Sequence, residues 1–148
     1  MTSDTYLDLV KAIERMHRQS LDTVKIALET SQHRDMTPVQ AMMLVNLGGE
    51  ALSVGELGRR GAYVGSNISY NVKRMVENGY IVTERSELDR RTTVIRETEK
   101  GREVADLIRA ELDRQRATLE TQGVDADALA SALRTLGRVE GYWGQIRR

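Results

Sequence analysis

GSNISYNVKRMVENGY, residues 65–80, is the stretch from which the fold can be read. At helical period Ile68, Val72, Met75 and Val76 fall on one apolar stripe. The opposite face carries Ser66, Asn67, Ser69, Tyr70, Asn71, Lys73 and Arg74, with no acid before Glu77. Such side chains hydrogen-bond base edges and phosphates. Asn67 and Asn71 suit bidentate contacts to adenine, while Lys73 and Arg74, one turn later, suit phosphates. Polar residues cover the outside of any amphipathic helix, so the neighbouring segments have to decide.

Upstream, Ser53-Val54-Gly55-Glu56 forms a capping box that opens a short helix expected to close at Gly61. Gly55 and Gly58 each weaken such a helix by about 1 kcal/mol relative to alanine. Small residues there predict close approach of another helix, as in a helix-turn-helix crossing. Downstream, YIVTERS (80–86) and TTVIRET (92–98) are β-branched and alternating around the polar segment 87–91, which reads as a hairpin. Arg85, Arg90 and Arg91 lie in this charged hairpin, with Asp89 near its tip. It reads either as a solvated charged turn or as a wing. In a wing, a tip arginine would enter a narrow minor groove, oriented by an ion pair to the aspartate. Helix, turn, polar-faced helix and basic hairpin in that order predict a winged helix-turn-helix.

Working outward, a first helix is expected near residues 3–31, with Tyr6, Val10, Ile13, His17, Leu21, Val24 and Leu28 on one stripe. His17 is expected to be a partly buried core residue, and His33 and Asp35 to lie in the following loop. Thr37-Pro38-Val39-Gln40 starts a second helix with a capping box and proline at its first position, and Gly48-Gly49 ends it. After the hairpin, Thr98-Glu99-Lys100-Gly101 opens a helix with Val104, Leu107, Ile108, Leu112 and Leu119 on one side, broken at Gly123. Asp125 caps a last helix. Its inner face would carry Leu129, Leu133, Leu136, Val139 or Glu140, Trp143 and Ile146. The fold class predicted is mainly α with a small β-hairpin wing, an α+β winged helix-turn-helix with long terminal dimerisation helices. Residues 1–148 form one domain, with a DNA-binding lobe at 37–101 and helical dimerisation regions at 3–33 and 102–148.

Composition narrows the function. The 148 residues include no cysteine, two histidines and one proline, which removes disulfides and thiolate chemistry and leaves a poor metal set. No metal or cofactor is expected. No nucleophile–base pair or phosphate loop is visible, so an enzyme is not expected. Asp4 and Asp8 argue against a signal peptide, no run is long enough to span a membrane, and a cytoplasmic protein is expected. With 22 basic and 22 acidic residues the formal net charge is zero, which counts against a nucleic-acid partner. Locally, residues 59–91 hold Arg59, Arg60, Lys73, Arg74, Arg85, Arg90 and Arg91 against Glu77, Glu84, Glu87 and Asp89. Seven minus four leaves three positive charges, and this local field steers DNA.

The combination resembles the MarR family of winged-helix regulators. The matching residues are Thr37-Pro38-Val39-Gln40, Glu56-Leu57-Gly58-Arg59-Arg60, Glu77-Asn78-Gly79-Tyr80-Ile81, Asp89-Arg90-Arg91 and Thr98-Glu99-Lys100-Gly101. The wording GAYVGSNISYNVKRMV is similar to a subgroup named for a regulator of L,D-transpeptidase genes. The resemblance implies a homodimeric transcription factor, usually a repressor, on a pseudo-palindromic double-stranded DNA operator. Arg91 would be the minor-groove arginine, Asp89 its orienting partner, and residues 66–74 the source of base and phosphate contacts. Many members of the family bind a small molecule between the dimer helices and the DNA-binding lobe; an effector, if one exists, is expected near Met16, His17, Met42, Met43 and Leu107, at the junction of the first two helices, the fifth helix and the lobe, where it could bias the lobe spacing. Glu97 departs from the family's usual leucine, and Gly58 from a common alanine. The competing reading is a dimeric helical interaction module without DNA binding.

Overall fold

The computed structural model describes residues 3–147. Elements run in the order α1 (Ser3–Glu29), α2 (Pro38–Leu47), β1 (Leu52–Ser53), α3 (Val54–Gly61), α4 (Gly65–Glu77), β2 (Ile81–Arg85), β3 (Thr93–Glu97), α5 (Glu99–Thr121) and α6 (Ala126–Ile146). They divide into two compact units, residues 1–109 and 110–148.

In the first unit, both capping boxes form. Thr37 Oγ1 accepts from the Gln40 N–H at 3.2 Å while Gln40 Oε1 accepts from the Thr37 N–H at 3.2 Å. Ser53 and Glu56 repeat the exchange at 3.1 and 3.2 Å. The hydrogen bonds from Ser53 hold the Glu56 carboxyl below the usual range. Gly48 closes α2 at φ 65°. Helix α3 ends at Gly61 as expected, and the residue after it, Ala62, takes the left-handed conformation, φ 54°. Gly61 is small because a Cβ there would sit 2.1 Å from the Tyr63 ring. Gly58 is not forced. A Cβ on it would meet Ile68 Cδ1 at 3.8 Å, an ordinary contact.

The hairpin forms as expected, with register Ile81↔Glu97 to Arg85↔Thr93. A third strand joins it: β1 pairs antiparallel with β3 (Leu52↔Ile95), giving the order β1-β3-β2. Two residues are too few for an alternation pattern to reveal. Leu52, Ile81 and Ile95 point this sheet into a core shared with Leu44 and Leu47 of α2, Leu57 of α3, Ile68 and Met75 of α4, and Val24 and Leu28 of α1. Val104, Ala105 and Ile108 of α5 complete it.

The matched segments 77–81 and 98–101 turn out to be two halves of one joint. The Thr98 N–H donates to the Tyr80 carbonyl at 3.0 Å, and its hydroxyl donates to the Gly79 carbonyl at 2.6 Å. Lys100 Nζ donates to the Asn78 carbonyl at 2.8 Å. Gly101 lets α5 press onto this turn, since a Cβ there would fall 2.2 Å from the Tyr80 carbonyl oxygen. The Tyr80 hydroxyl donates to Asp35, and His33 Nδ1 lies 3.3 Å from it. Lys100 Nζ sits 4.3 Å from the ring centroid. Burial, then the Asp35 hydrogen bond and charge, pushes the phenol well above its usual pKa. The loop after α1, the end of α4 and the start of α5 therefore meet on one buried tyrosine.

His17 is exposed, contrary to expectation, as are residues 14–20 of α1 throughout. In the second unit, Gly123 (φ 89°) breaks the chain direction and Asp125 caps α6, its side chain accepting from the Ala128 N–H at 2.9 Å. On the expected inner face of α6, Val139 and Trp143 are half-buried while Leu129, Leu133, Leu136 and Ile146 are exposed. The helix buries no residue, and Leu133 and Ile146 are 71% and 64% exposed. No helix among the described residues is long and apolar enough to cross a membrane.

Candidate nucleic-acid interface

Helix α4 is seated by Ile68, Met75 and, against expectation, Asn71. Asn71 is 7% exposed. Its Oδ1 accepts from Gln40 Nε2 of α2 at 3.0 Å, and its Nδ2 donates to the Asn67 carbonyl at 3.0 Å. Asn71 therefore does not stand on the outer face and has no free edge to offer a base. It is the polar member of the buried stripe, and Val76, expected there, is 40% exposed instead. An asparagine reads as outward-facing in any hydrophobic count, and only the pairing with Gln40 explains its place inside.

The other residues of the predicted face remain at the surface. Ser66, Asn67, Ser69, Tyr70 and Arg74 are exposed, Tyr70 by 64%. Asn67 Oδ1 also accepts from Asn71, and its amide hydrogens are free of partners among the described residues. Lys73 is exposed and enters no ion pair among the described residues, whereas Arg74 leans on Glu77 at 3.2 Å. Helix α4 begins at Gly65 with Val64 as its N-cap and no side-chain cap, so its first N–H groups stay open to an anion such as a phosphate. The sequence carries that signal as the lack of Ser, Thr, Asp or Asn before Gly65.

In the wing, the structure corrects the role given to Asp89. Its carboxylate accepts from the Arg91 N–H at 3.0 Å and from the Thr92 hydroxyl at 3.2 Å, so it folds the loop and does not ion-pair with the Arg91 guanidinium. Ser86 Oγ accepts from the Leu88 N–H, and Arg85 Nη1 donates to the Arg90 carbonyl at 3.1 Å. Arg85 is thus a strut of the wing. The Arg90 and Arg91 side chains are exposed and form no ion pair among the described residues. Arg96 and Glu84 neutralise one another across the strands at 2.7 Å. Glu97, the departure noted in the sequence, is 6% exposed at its side chain and pairs with Arg102 of α5 at 3.3 Å. Its Oε2 has no partner. Leu88, which the sequence reading passed over, is fully exposed at the wing tip.

Of the five residues expected near an effector, Met42 and Leu107 are half-buried against the core that holds Met43, and His17 is exposed on α1. Met43 is 1% exposed within the core, while Met16 is 62% exposed on α1. A cavity of about 570 Å³ lies elsewhere, between the end of α1 and the start of α2, lined by Lys25, Leu28, His33, Arg34, Met36 and Pro38 among others. Among the described residues no three His, Asp or Glu side chains converge on a metal position.

A sequence profile described as "MarR family" matches residues 34–92. The exopolysaccharide II synthesis transcriptional activator ExpG of Rhizobium meliloti (strain 1021) is 38% identical over 144 residues, which is 97% of this chain and 74% of that protein. Among solved structures, Streptococcus pneumoniae FabT in complex with DNA superposes with a TM-score of 0.73 at 15% identity, covering 95% of this chain and 99% of that one. Staphylococcus aureus MarR in complex with salicylate and kanamycin gives 0.75 at 16%, covering 97% and 95%. At those identities the structures establish the winged-helix fold alone. The profile and the 38% relative carry the family, and they stop short of the subgroup. A capped α3, an α4 with an outward polar face, a hairpin tipped by two free arginines and these matches converge: the chain belongs to the MarR family of transcriptional regulators.

Proposed function

We propose that the chain is a homodimeric repressor that binds a pseudo-palindromic double-stranded DNA operator sequence-specifically. The observation that carries this reading is the exposed polar face of α4 beside a wing tip whose arginines are free. Helix α4 enters the major groove, where Ser66, Asn67, Ser69 and Tyr70 meet base edges and Lys73 and Arg74 meet phosphates. Arg90 and Arg91 enter the minor groove, on a loop that Arg85 and Asp89 hold in shape. Residues 37–101 act as the DNA-binding lobe. The open leucines of α6 favour dimerisation through the terminal helices, burying about 2,000 Å² or more as obligate dimers do. Such a dimer sets its two α4 helices about 34–36 Å apart, or a multiple of it.

Activation is a second reading, favoured by the name of the 38% identical relative. The sign of regulation depends on where the operator lies relative to the promoter. A small-molecule effector would act by binding one lobe spacing better than the other. The salicylate and kanamycin held by the Staphylococcus aureus protein favour an effector on this fold.

The test is binding to a duplex of about 30 bp, selected from a randomised pool by the protein itself, with stoichiometry and a salt series. Two chains per duplex are expected. Arg91→Ala removes two charges from a dimer, so the log–log salt slope should flatten by up to about 2 units. Failure to enrich any duplex, or one chain per site, refutes the proposal.

A further inference from the structure

The wing tip presents a large apolar side chain to solvent on a loop that is held from within. Leu88 is 100% exposed. Ser86 Oγ accepts from the Leu88 and Asp89 N–H groups at 3.2 and 3.4 Å. The Thr92 N–H donates to the Asp89 carbonyl at 3.0 Å, and the Ser86 N–H to the Thr92 carbonyl at 2.8 Å. With the Asp89 and Arg85 bonds, these contacts turn the loop's polar groups inward and leave Leu88 outside. A mobile or purely solvated tip requires neither an inward hydrogen-bond set nor a leucine. Arg90 and Arg91 follow it directly, with Glu87 the one acid before it whose carboxylate makes no bond within the loop.

We propose, resting on the DNA-binding reading above, that Leu88 is an apolar wedge that enters the minor groove beside Arg90 and Arg91 and opens a base step there. Minor-groove proteins insert leucine between bases in this way, partly unstacking them and bending the duplex. The arginines supply attraction that depends on groove width and carries little base information. The leucine adds a preference of a different kind. It favours flexible pyrimidine–purine steps, which unstack readily, at the position under the wing. Charge complementarity to the phosphates brings the tip to DNA, and the fixed loop conformation aims the side chain.

The experiment uses the full chain and a duplex of about 30 bp selected by the parent protein, with 2-aminopurine placed in turn at the steps under each wing. Leu88→Ala should weaken binding about fivefold per wing, about 25-fold for a dimer that seats both. No charge is lost, so the salt slope should stay at the parent value. The parent should raise 2-aminopurine fluorescence at one step and Leu88→Ala should not. Leu88→Met should restore both affinity and fluorescence. Because the side chain touches nothing, thermal stability should be unchanged in both variants. If the parent binds and Leu88→Ala binds equally well, the wedge is overturned and the DNA-binding reading stands. If Leu88→Ala flattens the salt slope as Arg91→Ala does, its effect came from displaced arginines and the wedge is again overturned. If the parent enriches no duplex, the underlying reading fails and the wedge fails with it.

Discussion

Asn71→Ala separates a residue that reads DNA from one that holds the reading helix in place. In the structure the side chain bridges α2 and α4, accepting from Gln40 Nε2 at 3.0 Å. Both partners are buried, Gln40 at 4% and Asn71 at 7% exposure. Truncation leaves the Gln40 amide as a buried donor without an acceptor, which costs about 1–3 kcal/mol. The Asn71 Nδ2 bonds to Asn67 are lost too, though Asn67 is exposed and water replaces them. A net loss of about 2 kcal/mol is expected, a fall in Tm of about 4–8 °C for a chain of this size. The assay is urea denaturation of parent, Asn71→Ala, Gln40→Ala and the double variant, all at one chain concentration because dimerisation shifts apparent stability. The cycle should return a coupling of about 1 kcal/mol. Binding to single-base variants of the selected duplex should weaken uniformly or not at all, with base preference kept. If Asn71→Ala is as stable as the parent and changes preference at one operator position, the residue reads a base and the buried placement is wrong.

Two glycines make opposite forecasts from the same measurement. Gly101→Ala puts a methyl 2.2 Å from the Tyr80 carbonyl oxygen, and the strain should exceed the helix-propensity gain, lowering stability by about 2 kcal/mol. Gly58→Ala finds ordinary contact distances and should raise stability by up to about 1 kcal/mol, so equal effects in denaturation would contradict the packing described. Tyr80 governs the alkaline limb. Its folded-state pKa is raised, so its contribution is complete below the unfolded value of about 10 and is lost as pH rises above that. Burial raises Tyr63 in the same direction. Denaturation at pH 9, 10 and 11 should show the parent losing stability more steeply than Tyr80→Phe, by up to one proton per chain, and parallel curves would exclude the effect.

How far the fold was legible depends on how local its causes are. The two capping boxes, Pro38, Gly48, Gly123 and Asp125 act within one turn of themselves, so residue identity and spacing were enough. The hairpin announced itself by alternation. Strand β1 did not, because two residues have no period and Leu52 pairs with Ile95 from forty-three positions away. Glycines were readable only in part. A small residue signals close approach without saying to what, and the partners proved to be the Tyr63 ring for Gly61 and the Tyr80 carbonyl for Gly101.

The candidate site divides along the same line. A residue's chemistry tells what it can bond to, and a polar side chain with two suitable partners gives no sign of which it takes. Asn71 could meet adenine or Gln40, and α2 lies close enough to claim it. Asp89 could meet a guanidinium or the backbone of its own turn, and the turn is nearer, two residues on. The Asp89 partner is in place as soon as the turn forms, whereas the Asn71 partner arrives only when α2 packs on α4, where two buried amides satisfy one another. The same comparison sorts the remaining polar residues. Ser66, Ser69, Tyr70, Lys73, Arg90 and Arg91 make no such side-chain bond among the described residues and stay at the surface. Arg91→Ala and Asp89→Ala should accordingly fail differently. The first removes a charge from an intact wing, flattening the salt slope. The second unpins the loop and should weaken binding with the slope nearly kept. If Asp89→Ala flattens the slope as much as Arg91→Ala does, the aspartate orients the guanidinium after all, and the assignment of its carboxylate to the turn falls.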